Sequence, residues 1–373
     1  MKTRAAILRQ TPGLWEIEEL ELDPPGPGEV LVKMIATGLC HSDDHVTRGD
    51  LAAARLPLVG GHEGAGVVRQ VGSDVQGLEV GDHIVTSFVP SCGRCRWCAM
   101  GMQNLCDNGA LIRFGTQLDG TCRLHDSEGV EVSTTACLGT FSEWQVFDQM
   151  SCIKVDVDLP LEVACLVSCG VQTGYGSVKA GDVQPGDVVL VIGVGGIGMN
   201  AVQGARDAGA AHVIAVDPVA AKRGWAADFG ATAAYESVAA AMPAVAQLTN
   251  GQGADVAILC VGVVRNDLVG QAYQAVRKAG TLVVTGIGPA TDDSAIPGVN
   301  AVSLAMQQKR IQGALYGMKS PREAVPMLLT MYRAGKLKLD ELITRTYSLD
   351  EINEGYRDLH EGKNIRGVIT FAD

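Results

Sequence analysis

Four cysteines stand close together in the segment CGRCRWCAMGMQNLC, as Cys92, Cys95, Cys98 and Cys106. Thiolates at this spacing can surround a borderline-soft zinc ion tetrahedrally and leave no place for a substrate, so their expected role is to staple a loop with little core of its own. Spacing alone leaves an iron–sulfur cluster, or four ordinary thiols, open. A second set is scattered: GLCHSDDH supplies Cys40, GGHEGAG supplies His62 and LVSCGVQTGYG supplies Cys169. Two thiolates and one imidazole would give zinc three protein ligands and keep its fourth position for alcohol, aldehyde or water. Taken singly, Cys40 and Cys169 read better as small buried residues, and His62 as an ordinary core or surface histidine.

A third pattern is GVGGIG, Gly193 to Gly198, directly after an apolar run ending at Ile192. Gly193 permits a tight turn, Gly195 lets the backbone approach a pyrophosphate, and Gly198 lets the next helix pack closely on the sheet. Amides at the helix start, around Gly196 and Ile197, are left to bind phosphate oxygens. The following strand ends in Asp217, 24 residues after Gly193. A carboxylate there can accept both hydroxyls of an adenosine ribose and repels a 2′-phosphate, which favours NAD over NADP.

These groups need elements to hold them. Up to about Asp158 the chain shows short β-rich runs, such as Glu29 to Met34 and Gly66 to Val71, broken by Gly, Pro and Asp turns, as in a small, mainly β domain. From about Cys169 strands and helices alternate: DVVLVI, a helix from Ile197, HVIAVD, a helix around Lys222, ADVAILCV, a helix from Asn266 and TLVVTGI. That rhythm implies a parallel sheet covered on both faces. The Ala-rich stretch Ala231 to Ala246 reads as a short strand and a surface helix, Pro321 to Tyr332 as a helix, and Gly367 to Phe371 as a final strand.

The 373 residues, 47% hydrophobic, are enough for two or three domains with substantial cores. A formal charge of −12 disfavours nonspecific binding to nucleic acid or anionic lipid. Ten of the eleven cysteines lie at or before Cys169. The odd count, the tight cluster and an amino terminus without an apolar signal core favour zinc thiolates in a reducing, cytoplasmic setting over disulfides or secretion. The run from Val188 is punctuated by glycines and flanked by turns, so a buried strand and helix account for it better than a membrane span.

Together these residues resemble the zinc-containing medium-chain alcohol dehydrogenases along essentially the whole chain. The resemblance implies an α/β architecture, a Rossmann doubly wound parallel-sheet coenzyme domain at 170–317 and a mainly β, GroES-like catalytic domain at 1–169 and 318–373. It implies two zinc ions per subunit, a catalytic one on Cys40, His62 and Cys169 and a structural one on Cys92, Cys95, Cys98 and Cys106. By the same resemblance Ser42 and His45 form a proton relay with the cofactor ribose, Asp43 orients His62, and Glu63 is the acid behind the metal. Thr173 would lie beside the nicotinamide, Lys222 near the adenosine ribose, and Arg366 on the pyrophosphate; Gly286 and Ile287 would also line the cofactor. Phe88, Cys137, Leu138 and Ile287 would form a mostly apolar substrate pocket, which discriminates neighbouring chain lengths only weakly. His41 stands where liver-type members often carry a pyrophosphate-binding arginine, a shorter and weaker substitute.

At finer grain, MKTRAAIL, GLCHSDDH, FVPSCGRCRWC, GMQNLC, LGTFSEW, ACLVSCGVQTGYG and GKNIRGVI resemble the N,N-dimethyl-4-nitrosoaniline-dependent, or nicotinoprotein, branch. That resemblance implies a non-exchanging NAD(H) recycled by an external electron acceptor or redox partner. An ordinary exchangeable-NAD alcohol dehydrogenase and a thiol-dependent formaldehyde dehydrogenase are the neighbouring readings. The segment Val299 to Tyr316 matches the edge that joins coenzyme domains in relatives, which implies a homo-oligomer, a dimer ahead of a tetramer.

Overall fold

A computed structural model describes residues 1–50, 55–288 and 294–372 of the chain. The chain divides into two units, Met1–Cys169 with Lys319–Asp373, and Gly170–Met318.

In the first unit the strand Glu29–Gly38 (EVLVKMIATG) is apolar or buried along nearly its whole length. A strand covered on both faces belongs in the middle of a sheet. It pairs antiparallel with Gly64–Val71, Trp144–Asp148 and the tail strand Arg366–Thr370. The sheet continues outward to His83–Thr86 and Cys152–Val155 on one side and to Ile343–Tyr347 on the other. Beside it a small closed barrel joins Lys2–Leu8, Glu16–Leu22, Leu124–His125, Glu131–Thr134 and Leu58–Val59. This is the GroES-like, mainly β architecture. The pairing of Val368 with Gly38 carries the last strand into the centre of the unit and fixes where Arg366 must stand.

The second unit is a six-stranded parallel sheet in the order Ala233–Tyr235, His212–Val216, Val188–Ile192, Ala254–Leu259, Val276–Val284 and Arg310–Gly313. The order reverses beside Val188–Ile192, as in a doubly wound Rossmann sheet, and ligands of such sheets bind past the strand ends at that switch point. All five residues of VVLVI are buried, which explains its unbroken apolarity.

Three local expectations change. The Ala-rich segment forms the strand Ala233–Tyr235 and the helix Val238–Leu248, but that helix buries Val238, Ala241 and Val245 and is part of the core rather than a surface helix. The final strand begins one residue earlier, at Arg366. The helix Gly170–Ala180 was not expected, because Gly170, Gly174 and Gly176 weaken helical propensity. A Cβ on Gly174 would collide with the backbone carbonyl of Ile197, so the close approach of the helix Gly196–Asp207 requires the glycine.

Candidate active site

The scattered ligands meet inside the first unit. One ligand atom each from Cys40, His62, Glu63 and Cys169 lie within 4.8 Å of one another, and all four residues are buried. Cys40 precedes the helix His41–Arg48, His62 and Glu63 precede the strand Gly64–Val71, and Cys169 follows a tight helical turn at Cys165–Ser168. The Cys169 thiol hydrogen-bonds to Cys40 and, with His62, holds Cys40 well below an ordinary thiol; the same bond, with burial, pushes Cys169 up. Burial pulls His62 down, yet Asp43 and Cys40 offset this and raise it overall. Cys40 is thereby held as the thiolate of the group, while Cys169 and His62 keep their protons on that charge.

Asp43 is fully buried, accepts a hydrogen bond from the Gly61 amide at 2.9 Å, and places its other oxygen 2.9 Å from His62 Nδ1. That second contact is close but off the line of a good hydrogen bond. Glu63 is ion-paired with Arg366, both buried. Burial raises the Glu63 carboxyl to about 7 against the pull of Arg366. Glu63 Oε1 is buried without a hydrogen-bond partner among the described residues. An orphaned carboxylate oxygen, two thiols and an imidazole converging in a buried space fit a zinc ion, and two thiolates with one histidine are the catalytic zinc donors of alcohol dehydrogenase. Ser42 Oγ accepts from the Cys40 thiol at 3.6 Å, and Phe88 stands edge-on to His62 with ring centroids 5.9 Å apart.

The other sequence candidates of this unit have local surroundings of their own. His41 is half-buried at the start of its helix. Leu138 is fully buried in a core cluster with Val30, Met34 and Phe147, against which Phe88 packs. Cys137, at a positive φ of 60°, is buried, and burial lifts its thiol to about 12. His45 is buried with Nδ1 3.0 Å from Asp50 Oδ2.

Cys92, Cys95, Cys98 and Cys106 also converge within 4.8 Å, but Cys92 and Cys95 are only half-buried. The Cys92 amide donates to Cys106 Sγ at 3.2 Å and the Cys95 amide to Cys92 Sγ at 3.3 Å. Amides of Asp107 and Cys98 bring Cys95 down to about 6. Backbone donors aimed at sulfur suit thiolates around a structural zinc. All eleven cysteines are free of disulfides.

In the second unit the Gly193 amide donates to Val216 at the crossover, and a Cβ at Gly198 would strike the Gly193 carbonyl. A Cβ at Gly195 would meet open space, so the loop leaves room for a ligand on that side. Asp217 accepts from the Val194 amide at 3.0 Å and the Val219 amide at 2.9 Å, which ties its carboxylate to the glycine loop. This cradle fits a dinucleotide. Lys222 is half-buried on the helix Ala220–Ala226. Thr173 is buried on the helix Gly170–Ala180, and its carbonyl accepts from Ser177. Gly286 and Ile287 follow the strand Val276–Val284, with Ile287 42% exposed and its carbonyl accepting from Val264.

The family model of the alcohol dehydrogenase GroES-like domain matches residues 26–157, and that of the zinc-binding dehydrogenases matches residues 196–331. The NDMA-dependent alcohol dehydrogenase of Amycolatopsis methanolica is 51% identical over 373 residues, all of both chains. Alcohol dehydrogenase B of Mycobacterium tuberculosis is 45% identical across all of this chain and 99% of its own. The chain belongs to the zinc-dependent medium-chain alcohol dehydrogenases. Among solved structures, an alcohol dehydrogenase zinc-binding domain protein from Burkholderia ambifaria superposes with a TM-score of 0.92 at 31% identity, and benzyl alcohol dehydrogenase from Acinetobacter calcoaceticus with 0.87 at 30%, each covering both chains fully. This zinc alcohol dehydrogenase is therefore an NAD-dependent enzyme of hydride transfer between alcohols and aldehydes, closely related to the NDMA-dependent branch.

Sequence reasoning missed two partnerships. Arg366 was matched to a pyrophosphate role, and its guanidinium lies on Glu63; a lone tail arginine carries no signal of that pairing. Asp50 was not singled out, since five residues along a helix do not face each other. A pointer was available in Gly49, whose left-handed φ of 82° ends the helix and turns Asp50 back toward His45.

Proposed function

We propose that this alcohol dehydrogenase oxidises primary alcohols while keeping NAD(H) bound between turnovers, and passes its electrons to a second small acceptor instead of exchanging the cofactor. The observation that carries this reading is the full-length, 51% likeness to an enzyme named for its dependence on NDMA.

Zinc held by Cys40, His62 and Cys169 would make a bound alcohol more acidic, and NAD(H) on the Gly193–Gly198 loop would carry the hydride. The chain's own groups set the stage for both. Asp43 orients His62, and the Arg366–Glu63 pair balances charge behind the ligands. Ser42 Oγ holds the substrate proton and His45 takes it onward. Thr173 supports the nicotinamide, and Asp217 reads the ribose hydroxyls. Phe88, edge-on to His62, gives the site an apolar side suited to aliphatic or aromatic primary alcohols.

We place two copies edge to edge through Arg310–Gly313, the outermost strand of its sheet, which is exposed along its length and flanked by exposed Val302, Met306 and Leu315. Pairing removes that open edge. Analytical ultracentrifugation at micromolar concentration is expected to give a dimer, and a monomer would refute the pairing. Eleven free thiols favour a reducing, cytoplasmic setting; no helix among the described residues is long and apolar enough to cross a membrane.

The deciding experiment is gel filtration followed by assay. NAD(H) is expected to travel with the protein and to turn over with alcohol plus N,N-dimethyl-4-nitrosoaniline without added cofactor. A nucleotide-free protein that oxidises alcohol only when free NAD is supplied would make it an ordinary exchangeable-NAD enzyme. Formaldehyde turnover only in the presence of a thiol would make it the thiol-dependent type.

A further inference from the structure

His45 is buried, so a proton on its imidazole reaches bulk water most readily through a neighbouring polar group. Its Nδ1 lies 3.0 Å from Oδ2 of Asp50, whose side chain is 40% exposed. An ionised carboxylate can only accept, so Nδ1 carries the hydrogen in this pair. The corner that makes the contact is fixed from outside the helix. Thr11 Oγ1 donates to the Val46 carbonyl at 2.8 Å, the Gly13 amide donates to the Thr47 carbonyl at 2.9 Å, and the Gly49 amide closes the turn on Val46 at 3.3 Å. Asp44, the neighbouring carboxylate on the same helix, is engaged elsewhere, 2.8 Å from His360 Nε2 and 3.9 Å from Arg48.

We propose that Asp50 is the carboxylate through which the proton held by His45 passes to and from water. This rests on the relay reading above, in which His45 takes the proton that the alcohol loses. In the oxidising direction the ring gains a proton from the site, its Nδ1 proton moves to Asp50 Oδ2, and Asp50 gives that proton to water; the imidazole ends neutral. In the reducing direction water protonates Asp50, Asp50 returns a proton to Nδ1, and the ring releases one toward the site. One proton leaves and one enters, and these side chains exchange no electrons. An enzyme that alternates both half-reactions at one site resets the His45 tautomer in each cycle by this route. The carboxylate also fixes the ring orientation and stabilises the transient imidazolium.

The test uses the full-length, zinc- and nucleotide-loaded protein and the variants Asp50→Ala, Asp50→Asn and Asp50→Glu. Each is assayed with a primary alcohol and N,N-dimethyl-4-nitrosoaniline in dilute buffer, in H2O and D2O, and again with rising acetate or imidazole. Asp50→Ala and Asp50→Asn are expected to lose about tenfold or more in kcat, less than the roughly 10²–10⁴-fold of a group that acts directly on substrate as general acid or base. Their solvent isotope effect should rise, and small buffers should restore much of the rate; Asp50→Glu should stay near the parent. Unchanged rates in Asp50→Ala and Asp50→Asn would overturn the proposal. So would a loss that buffers do not repair and that leaves the isotope effect unaltered, since that is the mark of a merely structural role. Asp50→Asn keeps the side-chain shape and guards against a folding defect, checked by zinc content and retained nucleotide. A parent protein that fails to oxidise alcohol at all refutes the underlying function, a result distinct from a working parent whose Asp50 variants are indifferent.

Discussion

The two metal-binding clusters are built from opposite materials. Cys92, Cys95, Cys98 and Cys106 come from one short stretch, two of them half-buried, with backbone amides pointing at sulfur. Cys40, His62 and Cys169 span 130 positions of the chain, are all buried, and are surrounded by Asp43, Glu63 and Arg366. A local set needs only its ion to be well formed, whereas a scattered set is assembled by the sheet beneath it. The first therefore serves stability and the second chemistry, because four thiolates are the donors of a structural zinc and two thiolates with one imidazole those of a catalytic one.

The strongest way to break this contrast is Cys169→Ser. It is expected to lower kcat by at least about 10³-fold, roughly 4 kcal/mol of transition-state stabilisation. Bound zinc should fall from two ions toward one while the fold persists, as read by circular dichroism and elemental analysis. Next in size, Cys106→Ser should release the other zinc and lower Tm by about 5 °C or more, at roughly 2–4 °C per kcal/mol for a domain of this size. Residual activity per folded, metal-loaded molecule should stay near the parent's. If Cys106→Ser abolished turnover in folded protein while Cys169→Ser only lowered Tm, the two roles would be exchanged.

Two smaller effects sharpen the comparison. Asp43→Asn should weaken zinc at the scattered site by about 10–100-fold, as loss of a histidine's orienting carboxylate does. Competition with a chelator measures this, and the four-cysteine site should not respond. Asp358 belongs to the network beside the tail strand that carries Arg366. It is buried and bonded to Tyr347, Arg345 and Lys363, and Tyr347 in turn accepts from Asn364, two residues before Arg366. Burial opposes its charge, but Tyr347, Lys363 and Arg345 hold its carboxyl below the usual value. A depressed carboxylate stabilises the fold above its unfolded pKa of about 4 and loses that contribution as pH falls through the folded value. Asp358→Asn should cost about 1–2 kcal/mol at neutral pH, less than a sealed ion pair because Arg345 and Lys363 reach solvent. Its urea midpoint should also change less than the parent's between pH 5 and pH 3; an identical pH slope would show that Asp358 contributes nothing there.

The same divide runs through what was legible in the chain. The four-cysteine loop, the strand VVLVI, the glycine turn and Asp217 were readable because their partners are near in sequence and their geometry follows from local rules. The helix Gly170–Ala180 was not, because local rules count its glycines against a helix, while the close approach of the helix Gly196–Asp207 demands a residue without a Cβ at Gly174. The helix Val238–Leu248 looked like a surface element for a similar reason, since alanine is neutral about burial until a neighbouring sheet covers it.

By itself, then, the sequence determined the donor types, the local four-thiol spacing, the cofactor loop and the alternation that makes a parallel sheet, because each depends on contacts within a few residues. It named Cys40, His62 and Cys169 only by resemblance. Tertiary structure decided that these three share one buried space, that Arg366 turns its charge onto Glu63, and that His45 meets Asp50. Those outcomes depend on strand register and on one left-handed turn at Gly49, which bring together side chains that no linear spacing relates.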